Sequence, residues 1–309
     1  MSHPGVEMIS AFLADAGFSP GTITEQRAAM AATAEHAPAE PGVRVEPVTL
    51  GGRPAEWLRP EGGRSDCAVL YFHGGGYCIG SLDTHRGLAS RIALAARSPV
   101  VLLDYRLAPE HPFPAALDDA TAAYRALVAT GVPPARIALA GDSAGGGLVM
   151  AALLALRQSG AELPAAAACL SPWVDLTQSS PSFRSKADVD PMVTSVGLDQ
   201  MAASYLGGED VRSELVSPLF AVELGGLPPV LIEVGEDEVL LDDATRLADR
   251  IGEAGGEVSL TVWPEMIHVF QAFPASMIPE SDESVTAIGA FLSGRLGRVA
   301  GGSTPARSG

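Results

Sequence analysis

The sequence predicts an α/β protein, with a mostly parallel sheet covered by helices on both faces. Three observations carry that prediction. Short apolar runs recur from residue 67 onward: CAVLYF (67–72), VVLLDY (100–105), IALAG (137–141), AAACLS (166–171), VLIEV (230–234) and VSLTVW (258–263). Segments of helical character alternate with them, near 84–97, 115–129, 144–158, 242–254 and 282–298. Runs that are apolar throughout belong to strands buried on both faces, which is how parallel sheets read. Finally, 47% of the residues are hydrophobic, enough for a large core.

The remaining elements follow in chain order. The first 40 residues carry two weakly amphipathic helix candidates, Val6 to Ala16 and Thr24 to His36. VRVEPVTL, the Gly51-Gly52 pair and PAEWLRP predict two strands joined by a tight hairpin. Residues 176–222 break the strand–helix rhythm. They are rich in Ser, Asp, Pro and Gly, with one short helix expected near Leu198 to Tyr205. A strandless stretch of that length is expected to lie over the C-terminal edge of the sheet, where binding loops sit. Residues 299–309, ending in GGSTPARSG, are expected to be a disordered tail.

Composition excludes several function classes. Lys and Arg total 20 against 37 Asp and Glu, a formal charge of −17. A phosphate-neutralising surface needs the opposite balance, so no nucleic-acid partner is expected. Cys67, Cys78 and Cys169 are too few and too scattered for a disulfide framework or a zinc site. They read as reduced thiols, and the opening residues lack a secretory signal pattern, so a cytoplasmic location is expected. The most apolar helix candidate, Ala144 to Leu156, is shorter than the roughly 20 residues that span a bilayer, so no membrane insertion is expected.

The most informative stretch is RIALAGDSAGGGL. An apolar strand runs into Gly141-Asp142-Ser143-Ala144-Gly145, and a helix follows at once. This is G-x-S-x-G in its strand–turn–helix context, which presents the Ser143 hydroxyl at a helix N-terminus as a nucleophile. The Ala144 N–H, next in the chain, is placed to meet a developing oxyanion. YFHGGGYCIGS puts three glycines directly after a strand, where unshielded N–H groups can approach a ligand. The spacing is not that of a dinucleotide loop. His73 and Asp142 are read as structural hydrogen-bonders, and Cys78 as a buried thiol in preference to a pocket wall. In a fold with this elbow the chain order is serine, acid, histidine. Of the six histidines only His268, in WPEMIHVFQAF, follows Ser143, so it is the expected general base.

HGGG, DYRLAPEHPFPAALDD, GDSAGGGL, EDEVLLDD and MIHVF, in that order, resemble the motifs of the hormone-sensitive-lipase-like family of α/β-hydrolases, in particular its GDSAG esterases. The resemblance runs from about residue 45 to 297. It implies the α/β-hydrolase fold, an eight-stranded mostly parallel sheet with a helical cap. Residues 1–40 and 176–222 would form that cap, with 41–175 and 223–298 as the two parts of the core. It further implies oxyanion donors at Gly75, Gly76 and Ala144, no metal or organic cofactor, a small ester as substrate, and a homodimer by family habit.

The family's acid motif usually reads Gly-x-x-Asp-Pro-Leu-x-Asp. Laid on Gly235 to Asp242, it puts the acid on Glu238 and Val239 where proline usually stands. Two readings compete: Glu238 as a longer carboxylate, or Asp237 through a one-residue shift of the loop. Glu238 is favoured because a shift would displace Leu240 or Leu241, expected to anchor the next helix. Asp242 and Asp243 are read as carboxylates at that helix's N-terminus, and Glu236 as solvated. The expected activity is serine esterase chemistry on short-chain carboxylic esters through an acyl-enzyme. An amidase, carbamate or lactone hydrolase would use the same groups. A ligand-binding protein on the same scaffold is the rival from another class, disfavoured because a serine, a histidine and an acid are all present.

Overall fold

The computed structural model of the protein describes residues 3–15 and 21–297. The tail expected at 299–309 and the predicted end of the first helix at Ala16 lie outside them. Eight strands form one sheet in the order β1-β2-β4-β3-β5-β6-β7-β8. They are β1 (Val43–Leu50), β2 (Arg53–Pro60), β3 (Ala68–Phe72), β4 (Val100–Leu103), β5 (Ile137–Asp142), β6 (Ala166–Leu170), β7 (Val230–Gly235) and β8 (Val258–Trp263). The hairpin β1–β2 and the β2–β4 pair are antiparallel, and every other pairing is parallel. The sheet is thus the eight-stranded, mostly parallel one expected.

The helices are α1 (Pro4–Asp15), α2 (Ile23–Ala32), α3 (Leu82–Ala96), α4 (Ala115–Ala129), α5 (Ala144–Gln158), α6 (Ser182–Ser185), α7 (Ser195–Leu206), α8 (Leu241–Glu253) and α9 (Glu280–Leu296). Every residue of β3 to β7 is buried, because helices cover both faces. One core cluster holds α4, α5 and α8 against one face. The other holds α3 and α9 against the opposite face, through Leu88, Ile92, Ile288 and Leu292.

Two departures from the sequence reading have local causes. The strand predicted as 100–105 stops at Leu103, where Asp104 N bonds the Pro54 carbonyl and Arg106 turns to pair with Asp119. The helix predicted over Thr24–His36 ends at Ala32 and tightens into a 3₁₀ turn, Thr33–His36. Between β6 and β7 the chain forms no strand. It carries α6 and α7, of which only α7 was legible as a helix. Apolar contacts tie α7 down: Tyr205 stacks on Tyr77 at 3.8 Å and meets Phe113 edge-on.

Candidate active site

The strand-to-helix turn at the head of β5 is strained as the sequence requires. Ser143 has φ 54°, ψ −122°, a conformation few non-glycine residues adopt. The flanking glycines are there for space. A Cβ on Gly145 would be driven into the Phe72 carbonyl oxygen, and one on Gly141 would lie 2.5 Å from the Gly145 carbonyl oxygen. Ser143 is held from below by its own N–H, which donates to Leu170 O at 2.8 Å. Its carbonyl accepts from Gly147 N and Trp173 N.

The glycine run after β3 folds against this turn. Gly75 and Gly76 both have positive φ, 107° and 59°. A Cβ on Gly74 would collide with the Asp142 carboxylate, one on Gly75 would lie 2.4 Å or more from atoms of Ile79, and one on Gly76 would enter the Met201 thioether of α7. His73 is fully buried, stacks on Tyr105 at 4.3 Å and bonds the Gly74 carbonyl through Nδ1 at 2.8 Å. Burial, with the nearby His85 ring, pushes its pKa down to about 3, so it is a neutral ring and no base at ordinary pH. Asp142 accepts from Tyr71 Oη at 2.7 Å and faces His85 Nε2 at 3.4 Å. Burial opposes its charge, but those two partners outweigh it and hold its carboxyl below the usual range.

The two candidate acids differ in what they reach. Glu238 is fully buried, and its Oε2 lies 2.9 Å from His268 Nδ1. Its Oε1 accepts from Gly235 N at 2.6 Å and from Ser171 Oγ at 2.7 Å. Asp237 points elsewhere, pairing with Lys186 at 3.1 Å on a partly exposed surface. Glu236 is exposed. Asp242 lies in the first turn of α8, as read from the sequence, and receives Ser182 N. Asp243 shares that turn but is no surface carboxylate: it is fully buried and receives Val174 N, Asp175 N and Ser180 Oγ. Burial pushes its carboxyl up to about 7.

Burial works against a charged His268. The hydrogen bond and charge of Glu238, with the charges of Asp190 and Asp142, outweigh it and leave the imidazole pKa above its ordinary value. The structure therefore brings Glu238 and His268 together. The Ser143 hydroxyl makes no hydrogen bond to His268 among the described residues. Sequence reasoning missed Ser171, which has φ 46°, donates to Glu238 and receives Val269 N at 3.1 Å, tying the acid to the histidine loop. It also missed Asp190. Cys78 is buried with its thiol pushed up to about 12, which fits a structural thiol. Among the described residues no group of three or more His, Cys, Asp or Glu side chains is arranged to hold a metal ion, and no helix is long and apolar enough to cross a membrane.

A family profile described as alpha/beta hydrolase fold matches residues 69–272, more than half the chain. The chain belongs to that family. Within it, the chain is a carboxylic ester hydrolase of the hormone-sensitive-lipase type. It is 47% identical to an acetyl-hydrolase of Streptomyces hygroscopicus over 247 residues, covering 79% of this chain and 81% of the relative. It is 35% identical to an esterase of Acinetobacter venetianus, covering 82% of this chain and 83% of that one. A solved esterase from the bacterial hormone-sensitive lipase family superposes with a TM-score of 0.92 at 45% identity, covering 96% of this chain and all of that one.

Proposed function

We propose that this esterase hydrolyses short-chain carboxylic esters with Ser143 as nucleophile, His268 as general base and Glu238 as the acid that orients it. The observation that carries the reading is the buried 2.9 Å contact between Glu238 and His268, in a chain that also holds Ser143 on a strained elbow. His268 takes the Ser143 proton as the hydroxyl attacks the ester carbonyl. Glu238 holds Nδ1 protonated, leaving Nε2 as the acceptor, and stabilises the imidazolium. The Gly75, Gly76 and Ala144 amides receive the negative oxygen. His268 then protonates the departing alcohol, and water repeats the sequence to release the acid.

The described residues of 1–40 together with 176–222 form the cap in this reading, and Met201 on α7, packed against Gly76, would narrow the space beside the proposed oxyanion donors. The name of the Streptomyces relative, an acetyl-hydrolase, points the same way. Three buried unpaired thiols support a reducing, cytoplasmic setting. The open edge of β8, with Leu260 and Val262 exposed, supports a homodimer. The test is hydrolysis of p-nitrophenyl esters from two to sixteen acyl carbons by wild type and Ser143→Ala. Activity should peak at the short chains and vanish in the variant; a Ser143→Ala enzyme that retains turnover overturns the assignment.

A further inference from the structure

The loop that carries Glu238 is clamped from one side by a single short stretch of the β6–β7 crossover. Ser182 Oγ donates to Val239 O at 2.6 Å and receives Asp242 N at 3.0 Å. Lys186 pairs with Asp237. Asp190 closes the clamp at its most sensitive point: its Oδ2 receives Val239 N at 2.9 Å. Its Oδ1 receives Met192 N and Val193 N, both at 2.9 Å. Asp190 is 7% exposed, and the hydrogen bonds that compensate its charge come from three backbone N–H groups.

Val239 is the residue that replaces the proline usual after the acid. Proline has no N–H; valine creates one, on a residue with no exposed surface. A buried N–H left unpaired costs about as much as a lost hydrogen bond and lets the loop move. Here a carboxylate from another segment answers it, one residue from the group bonded to His268.

We propose that Asp190 is a positioning residue for the acid–base pair: by receiving the Val239 amide it fixes where Glu238 stands. The inference rests on Glu238 and His268 being the acid and base of the esterase reaction. It makes turnover conditional on residues 182–190 being seated on the acid loop, so the crossover does more than wall the substrate pocket. Burial raises the Asp190 carboxyl while the His268 charge opposes that rise, consistent with two groups that sense each other. Glu238 from the β7–α8 loop touches His268, and Asp190 from the crossover and Asp142 from β5 add their charges to its surroundings. Lys186 is engaged by Asp237.

The test uses the full chain as Asp190→Ala, Asp190→Asn, Val239→Pro and the Asp190→Ala/Val239→Pro double variant, with Glu238→Gln as control. Turnover of p-nitrophenyl butyrate is followed from pH 5 to 9 beside thermal melting. Asp190→Ala should lower kcat by about 10- to 100-fold, the scale of a small misplacement of a catalytic group, with KM within about 3-fold. The acid limb of kcat/KM should move to lower pH, since a negative charge in the surroundings of the imidazole is gone. Asp190→Asn keeps an acceptor, so kcat should fall less while the limb moves as far. The double variant, having no orphan N–H, should recover at least about 5-fold in kcat over Asp190→Ala with the limb still low. A kcat loss in Asp190→Ala that only tracks melting and is not relieved by Val239→Pro overturns the proposal. If Asp190→Ala does not fold, the double variant decides: having no orphan N–H it should fold and turn over, and a folded double variant without activity overturns the proposal. A fully active Glu238→Gln enzyme would instead sink the underlying acid assignment, an outcome independent of what Asp190 does.

Discussion

Replacing Glu238 by glutamine and Asp237 by asparagine separates the two candidate acids with almost no change of shape. The structure sets the sizes. Glu238 is fully buried and bonded to His268 Nδ1 at 2.9 Å, so an amide there can hold the imidazole in the wrong tautomer and offers no charge to the imidazolium. Such a change in a serine–histidine–acid constellation costs about 10⁴ in kcat, which at about 1.4 kcal/mol per decade is on the order of 5 kcal/mol of transition-state stabilisation. Glu238→Asp keeps the charge but shortens the reach by one methylene, about 1.5 Å. That would stretch the 2.9 Å contact beyond hydrogen-bonding range unless the loop follows, so a loss of about 10- to 100-fold is expected. Asp237 makes one partly exposed ion pair with Lys186. Such a pair contributes at most about 1 kcal/mol to stability, and Asp237→Asn should leave kcat within about 3-fold. Steady-state hydrolysis of p-nitrophenyl butyrate, with circular dichroism to verify folding, measures all three. A dead Asp237→Asn beside an active Glu238→Gln would show that the acid was placed one residue wrongly.

Three further outcomes are expected from the same geometry. His268 must be neutral to take the Ser143 proton, and its pKa is raised, so kcat/KM should climb with pH through a limb above the ordinary histidine value of about 6.5; a limb near pH 5.5 would contradict that balance of charges. Asp243, pushed up to about 7 by burial, binds its proton more tightly folded than unfolded. The stability it lends is present below about pH 4 and lost as pH rises through 7, so Asp243→Asn should gain on wild type by about 1–3 kcal/mol in urea unfolding between pH 5 and pH 8; a pH-independent difference would refute the raised carboxyl. Gly145→Ala drives a methyl group into the Phe72 carbonyl oxygen and should cost about 1–3 kcal/mol and most of the activity, whereas a fully active, equally stable variant would show that the elbow has room to spare.

The parts legible in the sequence are those whose cause is local. Continuous apolar runs give β3 to β7, flanking glycines give the elbow at Ser143, and chain order makes His268 the expected base. Ser171, Asp190 and Asp243 were not legible because their work is done on distant backbone. Ser171 Oγ reaches Val269 N, Asp190 reaches Val239 N, and Asp243 reaches Val174 N and Asp175 N. A short polar side chain that satisfies an amide 49 to 98 residues away leaves no period or spacing behind. Such pairings appear only when the buried N–H groups are counted against their acceptors.

Distant partners of this kind also divide the acidic run Gly235 to Asp243. Its five carboxylates have similar chemistry and near-adjacent positions, yet the fold sends Glu236 to solvent, Asp237 to Lys186, Glu238 to His268, Asp242 to Ser182 and Asp243 into the core beneath the crossover. Three of those four partners, Lys186, Ser182 and the Val174–Ser180 turn, belong to or border the β6–β7 crossover, which thus meets the acidic run at several points. With Glu238 as the proposed acid, this second attachment, together with the length of its side chain, is expected to set where its carboxylate meets His268.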